Sequence, residues 1–190
     1  EEIKNRDQQF SSMLNQAKTI IVNAKSVKND IQKFFGATKV SVITLPFCPA
    51  LNLDYFETEV DLTKYKLPEK YFMISNQFWK HKNHTIIIEA AKVLKENKIE
   101  FLIVFTGKEF DYRNPNYTID LKKHIAENGL DDNFRFLGFI DRGEQLQLMK
   151  NSIAIVQPSL FEGWSTVVED TKAINHVILL SDIPLHREQI

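Results

Sequence analysis

The sequence predicts an α/β fold built on a parallel sheet with helices on both faces. Three observations carry this reading. From residue 71 onward, short apolar-rich runs recur: "YFMIS" (71–75), "FLIVF" (101–105), "FRFLG" (134–138), "IAIVQ" (153–157) and "VILLS" (177–181). Most are separated by amphipathic stretches of helical period. The runs are also apolar at successive positions rather than alternating, the pattern of strands buried on both faces of a parallel sheet.

In chain order, residues 1–18 read as a helix, with Ile3, Phe10, Met13, Leu14 and Ala17 at helical spacing. "TIIVN" (19–23) is a short strand. Ser26 is placed to cap a helix through "VKNDIQKFF", whose Val27, Ile31, Phe34 and Phe35 share a face, and Gly36 stops it. "VSVITL" (40–45) is a second strand. Residues 46–70 carry Pro46, Pro49 and Pro68, scattered acids and no clean period, which predicts a linker. The helices of the main domain are then expected from Asn83 through "TIIIEAAKVLKEN", in "YTIDLKKHIAEN" up to Gly129, in "GEQLQLMKN", and after Trp164. Parallel α/β sheets bind ligands beyond the carboxyl ends of their strands. The loops after residues 75, 105, 138 and 157 are therefore expected on one edge.

Composition narrows the function. Apolar residues make up 43% of the 190, enough for a real core. A net charge of −1 gives no reason to expect a nucleic-acid partner. Cys48 stands alone, so there is neither a disulfide framework nor a multi-thiolate metal site. No apolar run reaches the ~18 residues of a membrane span. A cytoplasmic setting fits best, and peripheral attachment at the inner face of the membrane is compatible with it. The start at Glu1 and the end at Ile190, inside an apparent new helix, read as those of a fragment.

The glycines fall at 36, 107, 129, 138, 143 and 163, so neither a G-x-G-x-x-G nor a Walker loop is present. There is no D-x-D to bridge a metal to a diphosphate, and His81 and His84 lack a third ligand nearby. No metal site is expected.

The stretch "FEGWSTVVED" (161–170) follows the fourth main strand. Thr166 and Glu169 fit the T-x-x-E capping box, which alone would account for Glu169. Glu162 could equally be a solvated loop acid. A helix starting near Ser165 or Thr166 also directs free amides and its positive dipole end past the strand, a site suited to a diphosphate. Gly163 would let backbone approach that anion, and Glu162 and Glu169 could accept from hydroxyls on either side of it. A nucleotide sugar supplies that pattern: sugar hydroxyls, diphosphate, ribose hydroxyls. In "SNQFWKHKNH" (75–84), Lys80, His81 and Lys82 put positive charge at another strand's carboxyl end, although a solvated lysine pair would read the same.

These residues resemble the retaining, metal-independent glycosyltransferases of the GT-B fold, family four of the sequence classification. "PSLFEGWSTVVEDTKAINHVILLSDIPLHREQ" (158–189) is similar to their signature region, and "FRFLGFIDRGEQLQLMKNSIAIVQPS" (134–159) to the segment before it. "NQFWKHKNH" is similar to their phosphate-binding loop, and "AKTIIVNAKSVKNDIQKFFG" to the last part of their first domain. The resemblance implies two Rossmann-like halves. Residues 1–46 would end an acceptor-side domain, 47–70 would link, and 71–190 would form most of a nucleotide-sugar-binding domain without the crossover helix that usually returns to the first.

By position, the resemblance implies that Glu162 bonds the donor sugar and Glu169 the ribose. The amides of Trp164, Ser165, Thr166 and Val167, with Gly163, would hold the diphosphate. Lys82 would neutralise the leaving nucleoside diphosphate, with Asn76 beside it, and Gly138, Phe139 and Ile140 would frame the base. Three departures stand out. The family usually places seven residues between the two glutamates, whereas six intervene here, so the ribose role can shift from Glu169. Asn76 stands where many members have an arginine. Asn175 stands where a glycine commonly ends the helix, and asparagine tolerates the left-handed conformation needed there.

The implied reaction moves a sugar from a UDP- or GDP-sugar to a carbohydrate or lipid-linked acceptor with retention of configuration, in surface polysaccharide synthesis. The nucleotide sugar is a substrate, and no cofactor is implied. Residues 1–190 alone are expected to transfer little, because half a cleft cannot hold both substrates. Two other readings fit the same residues: a sugar-nucleotide 2-epimerase of the same fold, and a non-catalytic nucleotide-sugar-binding module.

Overall fold

The protein is described here by a computed structural model covering residues 2–36, 39–49, 55 and 61–190. Along the described residues the elements are α1 (Glu2–Gln16), β1 (Thr19–Val22), α2 (Lys25–Phe35), β2 (Ser41–Thr44), β3 (Phe72–Ser75), α3 (His84–Glu96), β4 (Ile103–Thr106), α4 (Tyr117–Glu127), β5 (Phe134–Phe136), α5 (Arg142–Asn151), β6 (Ala154–Gln157), α6 (Thr166–Ala173), β7 (Ile178–Leu180) and α7 (Pro184–Gln189). The expected linker falls largely on 50–54 and 56–60, which lie outside the described residues.

The chain divides into two compact units. One gathers Glu1–Cys48, Glu162–Ser165 and Ile183–Ile190, and the other Pro49–Phe161 and Thr166–Asp182.

In the first unit, β1 and β2 pair in parallel. Helix α2 opens at Lys25, a residue before Ser26, and Ala24 precedes it without a side-chain cap. The expected Ser26 cap is thus replaced. The Glu188 carboxylate accepts from the amides of Lys25 and Ser26, at 2.5 and 3.1 Å. A carboxylate at the positive end of a helix satisfies both orphan donors and its dipole. Gly36 ends α2 at φ +71°, as expected.

The second unit holds a five-stranded sheet, ordered β5-β4-β3-β6-β7, with every neighbouring pair parallel. Successive residues of its strands enter opposite cores, which explains the unbroken apolar runs. Met73, Leu102, Val104 and Ile155 pack with Leu146, Leu148 and Met149 of α5 and Val167 of α6. Ile74, Ile103, Phe105 and Phe134 pack on the other face with Ile87, Ile88 and Ala91 of α3 and Leu121 and Ile125 of α4. Each of the Val, Leu, Ile, Met and Phe side chains contributes roughly 1.5–3 kcal/mol on burial. Leu62, Tyr65 and Leu67 also lie against the first of these cores. Strand β4 begins two residues later than the run "FLIVF" suggested, because the run includes the approach to the strand. Leu102 already accepts from the Phe72 amide (2.9 Å).

The strand order sets the location of the site. From central β3 the chain steps outward to β4 and β5, then crosses back to β6 on the other side of β3. Such a reversal opens a crevice at the carboxyl ends of the two diverging strands. Here those strands are β3 and β6.

His84 opens α3 fully buried, stacked on Phe78 at 4.6 Å. Burial, helped by the nearby charges of Lys82 and His81, lowers its pKa to about 3. The folded state therefore holds a neutral imidazole that the unfolded chain protonates below about 6.5. Stability from this residue is complete above that pH and falls as the pH drops toward 3. Between pH 6.5 and 5 the expected loss is about 2 kcal/mol. Urea titrations across that range check it, and His84→Phe should flatten the slope.

Candidate functional site

All strands of the sheet are parallel, so the loops after β3, β4, β5 and β6 leave from one edge, as expected. At the crevice, the loop after β3 forms a tight turn over Lys80–Lys82, with Lys82 N donating to Trp79 O (2.8 Å). Asn83 then takes the left-handed conformation (φ +57°) and α3 begins. This turn is bonded to the segment after β6: Leu160 N donates to His81 O (2.8 Å), and Asn83 Nδ2 to Pro158 O (3.2 Å).

A buried polar layer supports the edge. Asn76 Nδ2 donates to Gln157 Oε1 (2.6 Å), and Gln157 Nε2 donates to Ser159 Oγ (3.3 Å). Asn76 is thus a buried, neutral member of this layer. The loop after β4 is pressed against it: a Cβ on Gly107 would lie 2.1 Å from the Asn76 carbonyl oxygen, and φ is +132°. Only glycine fits that approach. Gly107 N in turn donates to Gly138 O (2.8 Å), tying the loop after β4 to the one after β5. Beyond Gly138 (φ +66°), Phe139 is 88% exposed and Ile140 packs into the core. The Trp79 ring lies under the Arg113 guanidinium (4.9 Å).

Glu162, Gly163, Trp164 and Ser165 belong to the first unit, whereas Thr166, Val167, Glu169, Asn76, Lys82 and Gly138–Ile140 belong to the second. Ser165 is buried, and its amide donates to Gln189 Oε1 (3.3 Å) while its carbonyl accepts from Gln189 Nε2 (3.1 Å). The Trp164 indole N–H is buried without a hydrogen-bond partner among the described residues, and Phe47 meets its ring edge-on at 6.4 Å.

Helix α6 opens at Thr166. Ser165, not Thr166, is therefore the residue preceding the helix, and Glu169 is the fourth helical residue rather than the third. The spacing of the expected Thr166–Glu169 capping box is therefore not met, because Val168 stands third in the helix. Glu169 is buried with its carboxylate 3.3 Å from Lys172. Asn175 closes the helix at φ +51°, the left-handed conformation expected of it, with its amide on Lys172 O and the His176 amide on Thr171 O.

One acid at this edge escaped the sequence reading. Asp170 is 3% exposed and accepts from Arg142 Nη2 at 2.5 Å. The signal was in the spacing, since a gap of seven intervening residues after Glu162 leads to Asp170. Arg142, at the start of α5, carried no signal, because its partner lies 28 positions away. Among the described residues no group of three or more His, Cys, Asp or Glu could hold a metal ion. No helix there is long and apolar enough to cross a membrane.

Residues 57–190 match the model of the family "glycosyl transferases group 1". The chain belongs to this family. It is 27% identical over 173 residues to the O-antigen chain mannosyltransferase RfbU of Salmonella typhimurium, a match covering 90% of this chain and 44% of the relative. Among solved structures it resembles the sucrose-phosphate synthase of Thermosynechococcus elongatus, with a TM-score of 0.76 and 19% identity over 95% of this chain and 44% of that one. It also resembles Anabaena HepE in complex with UDP and glucose, with a TM-score of 0.74 and 16% identity over 94% and 48% of the two chains. These likenesses establish the fold as a Rossmann-like parallel sheet of GT-B type. The chain spans about half the length of these group 1 relatives and structural neighbours.

Proposed function

We propose that the protein containing this chain transfers a hexose from a UDP- or GDP-sugar to a hydroxyl of a carbohydrate or lipid-linked acceptor, with retention of configuration, in surface polysaccharide synthesis. The observation that carries this is the crevice between β3 and β6. There the Lys80–Lys82 turn is hydrogen-bonded to the segment leading toward α6, in a chain of the group 1 family. Lys82 stabilises the leaving diphosphate, the first-turn amides of α6 bind it, and Glu169 or Asp170 accepts from the ribose hydroxyls. Glu162 holds the donor sugar, and Gly138, Phe139 and Ile140 frame the base. Mannose is the first sugar to test, because the Salmonella relative is a mannosyltransferase. Residues 71–190 serve the donor and residues 1–46 the acceptor side. Retention follows from a front-face reaction in which the leaving phosphate assists the incoming hydroxyl, with no protein nucleophile.

A melting-temperature panel of UDP-, GDP- and ADP-sugars on the complete protein tests this. One nucleotide class should stabilise it, by about 2.7 kcal/mol at a hundredfold excess over Kd. Stabilisation by none of them would remove the reading, and donor epimerised in the absence of acceptor would replace it with an isomerase. A chelator should leave transfer intact, since Lys82 and helix amides supply the charge stabilisation. Loss of activity on chelation with rescue by Mg²⁺ or Mn²⁺ would contradict that.

A further inference from the structure

Beneath the carboxyl edge a single hydrogen-bonded chain crosses four elements. Arg142 Nη2 donates to Asp170 Oδ1 (2.5 Å) and its Nη1 to Gln145 Oε1 (2.7 Å). The Gln145 amide donates to Ser75 Oγ, which also accepts from Thr106 Oγ1 (3.1 Å). Asp170, Ser75 and Thr106 are 3%, 5% and 1% exposed, whereas Arg142 and Gln145 between them are half-buried. This hydrogen-bonded chain reaches the donor site at two points. Asp170 adjoins Glu169 in α6, and Ser75 is the last residue of β3, directly before Asn76 and the loop that carries Lys82.

We propose that Arg142 is a positioning residue for the donor site, fixing α6 to the end of β3 so that the helix amides and Lys82 hold one spacing. This rests on the donor reading above. A guanidinium suits the task because its rigid fork bonds Asp170 and Gln145 in two directions at once. A lysine keeps the charge but is a point donor, and cannot impose both directions. Buried ionic chains are often no more stabilising than apolar packing, so stability gives little reason for this arrangement, whereas fixed geometry does.

The test is steady-state kinetics of the complete protein carrying Arg142→Lys, Gln145→Met, or both, at a temperature where circular dichroism shows every variant folded. Each single variant should lower kcat/KM for the donor about tenfold, within the hundredfold that ~1 Å of misplacement can cost, and leave the acceptor KM unchanged. The double variant should lose little more than either single one, since both break the same chain. Gln145→Met leaves the Arg142–Asp170 pair in place and carries the test if Arg142→Lys does not fold. Unchanged donor kcat/KM in folded variants, or a double-variant loss equal to the product of the singles, would overturn the proposal. Wild-type protein assayed alongside separates the two readings. If it transfers no sugar from any nucleotide sugar, the donor reading fails and takes this one with it. If it is active and the variants match it, only the positioning role falls.

Discussion

Lys82→Ala in the complete protein is expected to lower kcat for sugar transfer by about 10²- to 10³-fold, the cost of removing one preorganised charge at a developing anion. The expectation rests on where the lysine stands. Its turn is fixed by its own amide on Trp79 O and by the Leu160 amide on His81 O, at the crevice between the diverging strands. Asn76, one residue beyond β3, is neutral and engaged with Gln157, so it brings no second charge. Lys82→Arg keeps the charge and should recover part of the loss. Stability should move by no more than about 0.5 kcal/mol, because Lys82 is a half-exposed turn residue outside the core. Initial rates over a range of donor concentrations, with a melting curve for each variant, check both parts. A Lys82→Ala enzyme with unchanged kcat would show that the leaving group is stabilised elsewhere.

The two neighbouring acids of α6 should separate by property. Asp170→Asn leaves the Arg142 guanidinium without its carboxylate and should cost about 2–3 kcal/mol of stability. That is less than for a fully enclosed pair, because the Arg142 side chain is 37% exposed. For a chain of this size the melting temperature should drop by roughly 4–12 °C. Glu169→Gln keeps the shape of the side chain and removes the charge that pairs with Lys172, whose side chain is 47% exposed, so its stability cost should be about 0.5 kcal/mol or less. Its donor affinity should instead weaken five- to thirtyfold, about 1–2 kcal/mol, because a neutral amide accepts ribose hydroxyls less well than a carboxylate. Melting curves and donor titrations of both variants decide. If Glu169→Gln leaves donor affinity unchanged while Asp170→Asn abolishes it, the ribose acid is Asp170, at the family's usual spacing.

The β strands of the second unit were legible to within two residues, because burial on both faces writes an unbroken apolar run that few other arrangements require. Asn175 was legible for a local reason too, since a left-handed helix end admits few residue types. What escaped the sequence depends on distant partners. The α2 cap comes from Glu188, 163 positions from Lys25, and no local pattern announces it. The start of α6 lies one residue from where the capping box placed it, because Thr and Ser cap helices almost equally and "ST" offers both. The Arg142–Asp170 pair joins two helices through a charge contact that sequence spacing cannot encode.

The most direct measurement is a diffraction structure of the complete protein with a bound UDP- or GDP-sugar. The diphosphate should lie at the carboxyl edge of the sheet, within hydrogen-bond reach of Lys82 Nζ and the amides of Thr166 and Val167. A diphosphate bound at the amino edge of the sheet, or bound with Lys82 and the start of α6 both out of contact, would contradict it.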